Sequence, residues 1–272
     1  MLLLAAFAFG ACIGSFLNVC IHRLPADESV VRPGSRCPAC ARPIAWYDNV
    51  PIVSWLVLRA RCRHCDAPIS VRYPIVEAAT GALAVLALLR FGPTLHAAVA
   101  FALSAALLLV TYVDVDHRFI PDEVSLPGIL VGLGVAFVDH RGPTPAEAVA
   151  GVVLGGGVLW AVSWAYERAT GVEGMGFGDV KLLAMIGAFL GWQAIPLVLL
   201  VAAVSGSAAG ILVMLSSRAR RTAGRVRRRL GVRAMSAYAR RAARRTAIPF
   251  GPFLALGAAL VLYRPDLTRL WG

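Results

Sequence analysis

Charge is scarce in this sequence, and acid is scarcer. Only 15% of the 272 residues are charged, and 15 Asp and Glu stand against 27 Lys and Arg. With 58% hydrophobic residues and a mean hydropathy of +0.71, the chain carries more apolar surface than a soluble fold of this length buries. That balance excludes an ordinary soluble enzyme. No Gly-x-Gly-x-x-Gly loop is present, so motif reading gives no nucleotide-binding strand–helix unit. The first apolar run lacks a basic flank and a small-residue cleavage site, and it reads as a retained helix rather than a removed signal. Residues 218–245 hold twelve arginines and no acid, with Tyr238 as the sole aromatic among them. Binding single strands by stacking needs interleaved aromatics, so no nucleic-acid partner is expected.

What is present is a series of apolar runs, near 2–21, 74–90, 95–113, 124–138, 147–165, 180–192, 194–215 and 248–263. They predict an all-α polytopic membrane protein with about eight transmembrane helices. Several runs fall short of the roughly 20 residues a spanning helix needs, and 180–192 reads as re-entrant or half-buried. Placing the amino terminus outside puts all but four of the 27 Lys and Arg on the inner face, the exceptions being Arg90, Arg141, Arg264 and Arg269. The positive-inside rule therefore selects that orientation and makes the inner face the cytoplasmic one. The chain divides into a first transmembrane helix (1–21), a cytoplasmic cysteine loop domain (22–73) and a membrane-embedded domain (74–272) with a basic cytoplasmic loop at 216–247. That loop is expected to anchor topology, or to lie on anionic lipid.

The cysteine loop contains "CPAC" and "CRHC", which place Cys37 and Cys40 before Cys62 and Cys65 with 21 residues between the pairs. Two knuckles of two thiolates suit tetrahedral zinc. Disulfides fit poorly on a reducing cytoplasmic face. Four thiolates leave no open position, so the zinc is expected to be structural. Cys12 and Cys20 read as small packing residues, and His64 as a solvated loop residue.

Acids are few enough that those at the ends of apolar runs stand out. "VDVDHRFIPD" carries Asp114, Asp116 and Asp122, and "GMGFGDVK" carries Gly176, Gly178, Asp179 and Lys181. Acids at a membrane edge face a cavity, pair, or perform chemistry. Two carboxylates sharing a proton can activate water for peptide hydrolysis. The same residues also read as interfacial groups, with Asp116 facing Arg118 and with Asp122 and Asp179 capping helices. A proton-coupled transporter with acids in its pathway is a third reading.

At this point the chain resembles a family, the bacterial prepilin peptidases, which are membrane aspartic proteases of the GxGD type. The likeness rests on "GSFLNVCIHRLP" (14–25), the two CxxC pairs, "RYPIVEAATG" (72–81), "VDVDHRFIPD" (113–122), "GVEGMGFGDVKLLAMIGAFLGW" (171–192) and "IPFGPFLALG" (248–257), in this order. It implies that Asp114 and Asp179 are the catalytic acids, with Asp116 and Asp122 accompanying them. It also implies prepilin and pseudopilin substrates cut after a short basic leader, and N-methylation of the new terminus with S-adenosylmethionine. "RYPIVEAATG" supplies the methyl-transfer candidates Glu77 and Gly81, for which helix packing is the competing reading. If Asp179 caps its helix, the helix N-terminus favours its ionised form and Asp114 holds the shared proton; which acid does so is left open by the sequence.

Overall fold

A computed structural model describes residues 1–171, 176–215, 249–264 and 266. The whole basic loop at 216–247, and with it the anionic-lipid expectation, lies outside them. The described residues form nine α-helices: α1 (Leu2–Arg23), α2 (Val53–Val57), α3 (Arg72–Phe91), α4 (Leu95–His117), α5 (Asp122–Val135), α6 (Pro145–Thr170), α7 (Phe177–Leu190), α8 (Ile195–Leu215) and α9 (Gly251–Tyr263). No strand occurs among the described residues, only two isolated bridges in the cysteine loop.

Among the described residues, five helices are long and apolar enough to cross a membrane: α1, α3, α4, α6 and α8, the first and last counted with their flanking turns. The other three helices on expected spans, α5, α7 and α9, have only 14, 14 and 13 residues. Of these, α7 is the centre of the core. Val180 and the whole run from Leu182 to Ala188 are buried, with α5, α6 and α9 packed around them. A short helix wrapped in protein does not need the length of a lipid-facing one. By contrast α6 and α8 expose Val153, Val162, Leu200 and Val204, as lipid-facing helices do.

Close packing rests on small residues, the usual device where lipid removes the hydrophobic drive between helices. Gly151 of α6 and Gly187 of α7 touch backbone to backbone, and a methyl group on either collides with the other. On α1, a Cβ at Gly14 falls 2.7 Å from the Cα of Glu77, which draws α1 against α3.

Local signals fix the helix ends. Thr144 and Glu147 form a reciprocal capping box at the start of α6, with Pro145 in the first turn. The end of α4 is set by Arg118, whose left-handed conformation (φ 59°) turns the chain immediately after the acidic block.

Candidate active site

Asp114 lies in the last turns of α4 and is buried. Its carboxylate Oδ2 accepts a hydrogen bond from the backbone N–H of Gly251 at 2.8 Å. Gly251 is the first residue of α9, so that helix presents its N-terminus to the acid. Asp179 lies in the first turn of α7, half-buried, and its charge feels that of Asp114. Helix α9 packs on both α4 and α7 and joins the two acid-bearing elements.

The turns carrying the two motifs also meet. A Cβ on Gly178 falls 3.0 Å from the Cβ of buried Ile120, so the "GFGD" turn passes directly over the "FIPD" turn. Lys181 donates to both carboxylate oxygens of Asp122, each at 2.7 Å, and ties the start of α7 to the start of α5. The structure thus gathers Asp114, Asp122, Gly178, Asp179 and Lys181 at one end of the bundle. A Cβ on Gly176 meets Asp179 Oδ2 at 3.9 Å, an ordinary contact that leaves the approach to the acid open.

Three expected local roles are corrected. The N-cap of α7 is Gly176, not Asp179, because extended backbone at Gly176 (ψ 139°) lets the helix begin earlier. Pro121 occupies the N-cap of α5, and Asp122, the first helical residue, pairs with Lys181. Asp116 turns to Arg72 rather than Arg118. The Arg72 guanidinium bonds Asp116, lies 4.6 Å over the Tyr112 ring, and reaches the Tyr112 carbonyl at 3.5 Å. Arg72 and Gly251 are the residues that sequence reasoning missed. The signal available for Gly251 was the Gly-Pro step opening an apolar run, a helix-start pattern with proline in the first turn.

The cysteine loop folds as two matching knuckles. Cys37 N–H donates to the Arg42 carbonyl and Cys62 N–H to the Ala67 carbonyl, each at 2.9 Å. The repeat is visible as "CPACARPI" and "CRHCDAPI", whose prolines Pro43 and Pro68 each form one isolated bridge. All six cysteines are free of disulfides, and the sulfurs of Cys37, Cys40, Cys62 and Cys65 lie within 4.8 Å of one another. Tetrahedral zinc–thiolate bonds of about 2.3 Å set the sulfurs about 3.8 Å apart. Cys37 and Cys65 are 3.8 Å apart. Amide donors, Cys40 first and then Ala39, bring the Cys37 thiol down to about 6. Arg63 clamps Asp48 at 2.7 and 2.5 Å, and this hydrogen bonding holds the Asp48 carboxyl below the usual carboxylate range. His64 approaches Arg42 at 3.5 Å.

Glu77 and Gly81 stand apart from the acid cluster. Glu77, buried on α3, accepts from the N–H of Ile52 at 2.7 Å and has the Ser15 hydroxyl nearby. Ile52 has φ 64°, a strained value for a β-branched residue, so this contact pins the cysteine loop to the bundle. Gly81 packs on the Phe7 ring, where a Cβ falls 2.8 Å away, as helix packing requires.

A family model described as the bacterial peptidase A24 N-terminal domain matches residues 8–91, and one described as the type IV leader peptidase family matches residues 101–211. A prepilin leader peptidase/N-methyltransferase of Burkholderia pseudomallei (strain 1026b) is 38% identical over 97% of this chain and 85% of its own length. The protein of that name in Aeromonas hydrophila is 38% identical over 97% of this chain and 91% of its own. Its counterpart in Myxococcus xanthus (strain DK1622) is 44% identical over 78% and 63%, respectively. No solved structure matches. The chain belongs to the type IV leader peptidase family.

Proposed function

We propose that this protein is a bifunctional membrane enzyme, which removes the leader of type IV prepilins and pseudopilins with Asp114 and Asp179 and then methylates the exposed amine. The observation that carries the reading is that two acids from distant motifs, one buried at the end of α4 and one half-buried at the start of α7, lie close enough for their charges to interact. Two carboxylates within electrostatic reach and partly out of water favour sharing one proton. The ionised member withdraws a proton from water, which attacks the scissile carbonyl. The protonated member hydrogen-bonds that carbonyl and later protonates the leaving amine. The positive-inside pattern supports a cytoplasmic position for this end of the bundle, where a basic leader emerging from an apolar pilin helix would be accessible. The relatives' names lend no support to the transporter reading.

Cys37, Cys40, Cys62 and Cys65 would hold one zinc ion, which supplies a cross-link between the two knuckles and no open coordination position. S-adenosylmethionine would supply an activated methyl group. A cavity of about 380 Å³ between α1 and the cysteine loop, walled in part by Ser15, Arg23, Ser35, Asn49 and Pro51, has the size and mixed lining of a small-molecule site. Glu77 stands behind its wall through Ser15 and the Ile52 amide beside Pro51. These residues fit a role in fixing the cavity's shape.

Co-expression with a type IV prepilin tests the whole reading. Mass spectrometry of the product should show leader loss and a further methyl group at the new terminus. An unprocessed precursor in the presence of folded, membrane-inserted enzyme overturns it.

A further inference from the structure

The contact between Asp114 and Gly251 has two features that mere proximity does not require. The amide of Gly251 points at one oxygen of a buried carboxylate, at 2.8 Å and across 137 positions of chain. In addition, a Cβ on residue 251 falls 2.6 Å from Oδ2, 3.2 Å from Cγ and 3.4 Å from Cβ of Asp114. Only glycine brings its backbone this close, and any side chain displaces the carboxylate or the helix. The donor is also the first amide of a 13-residue helix, whose N-terminal dipole favours negative charge.

The two acids therefore sit in different surroundings. Burial disfavours the charged form of both acids, and against it Asp114 has a fixed amide donor and the positive charge of Arg118. The charge acting on Asp179 is that of Asp114 itself. An oxygen that accepts an N–H cannot also present a proton in that direction, and hydrogen bonding to a carboxylate favours its ionised form.

We infer that Gly251 is a positioning residue, whose backbone N–H orients Asp114 and keeps it as the ionised, water-activating member of the pair while Asp179 carries the proton. This reverses the assignment expected from capping, and it rests on Asp114 and Asp179 being the catalytic acids. The motif "PFGPF" then has a chemical role. Phe250 and Pro252 start the helix, and the glycine between them offers its amide without obstruction.

The experiment compares wild type, Gly251→Ala, Asp114→Asn, Asp179→Asn and Gly206→Ala in purified full-length protein, with a type IV prepilin as substrate. Gly206 of α8 is the control, because a Cβ there makes an ordinary 3.4 Å contact with Phe253 of α9. Losing a hydrogen bond to a charged group lowers kcat by about 10- to 100-fold, with KM little changed. The acid limb of the kcat profile should move to higher pH in Gly251→Ala and stay in place in Gly206→Ala. If Gly251→Ala fails to fold, the amide resonance of ¹⁵N-labelled Gly251 decides in the wild-type protein. It should titrate with the acid limb and shift far more in Asp114→Asn than in Asp179→Asn. An unmoved limb in folded Gly251→Ala, or an amide indifferent to Asp114, overturns the inference. If both asparagine variants cleave normally, the catalytic reading itself falls, and the two failures are thereby told apart.

Discussion

Lys181 and Asp122 form a bidentate ion pair between the first turns of α7 and α5, with the Lys181 Nζ 2.7 Å from each carboxylate oxygen. Lys181 lies two residues after Asp179, and Asp122 lies eight residues after Asp114. The pair closes the same gap that Ile120 and Gly178 close by packing. The Asp122 side chain is 52% exposed, so the ion pair contributes only about 0–1 kcal/mol to stability. Its use is geometric. Lys181→Ala should leave thermal stability nearly unchanged and lower kcat several-fold, because misplaced reacting groups are costly even at small displacements. A double-mutant cycle with Asp122→Ala measures the coupling, and additive effects on kcat would show that the pair is incidental.

Asp114→Asn and Asp179→Asn should each lower prepilin cleavage by at least about 100-fold, the scale of a lost general acid or base. Neither replacement alters helix length or packing volume, so membrane insertion should be unaffected. Immunoblots of precursor and product, set against the amount of membrane-extracted enzyme, check both statements together. Asp116→Asn should behave differently. Its partner is Arg72, outside the pair, and its loss should lower stability more than it changes the chemical step.

Metal should be one zinc per chain, measured by mass spectrometry of the purified protein, and acid should release it. The Cys37 thiol, at about 6, lies below the roughly 8.5 of an unperturbed thiol. A thiol must be deprotonated to hold zinc, so zinc release followed with a chromogenic chelator should rise as pH drops. Cys37→Ser should weaken retention at neutral pH. Zinc content that survives replacement of all four cysteines would refute the site.

The helices and the metal knuckles were legible because each is a local signal. An apolar run of helical length or a CxxC pair carries its meaning within a few residues. The corrections concern what local signals do not encode. Asp116, Asp122 and Asp114 find partners 44, 59 and 137 positions away, and no sequence period announces such pairs. The cap of α7 was misread for another reason. Aspartate is a good N-cap, but Gly176 adopts the extended backbone a cap needs, and that shifts the helix start. Span number was only partly legible, since α5, α7 and α9 are too short to cross alone and gain their place by packing around one another.

Glu77 gives the sharpest separation of the two activities. Its carboxylate is buried on α3, holds the Ile52 amide of the cysteine loop at 2.7 Å, and lies near Ser15 on the cavity wall. None of these partners touches Asp114 or Asp179 in the contacts described above. Glu77→Gln keeps the shape and one acceptor oxygen but exchanges a charge-assisted bond for a neutral one of about half the strength. The expected result is retained leader cleavage with weaker binding of S-adenosylmethionine, by about 10-fold on that scale, and loss of methylation at limiting cofactor. Isothermal titration with S-adenosylmethionine reads the first effect without any turnover, and product mass reads the second. Glu77→Ala, which leaves the Ile52 N–H without its acceptor, should additionally loosen the cysteine loop and raise its hydrogen exchange. If cleavage and cofactor binding fall together in Glu77→Gln, the carboxylate supports the whole bundle rather than the cavity, and the cofactor must be sought elsewhere.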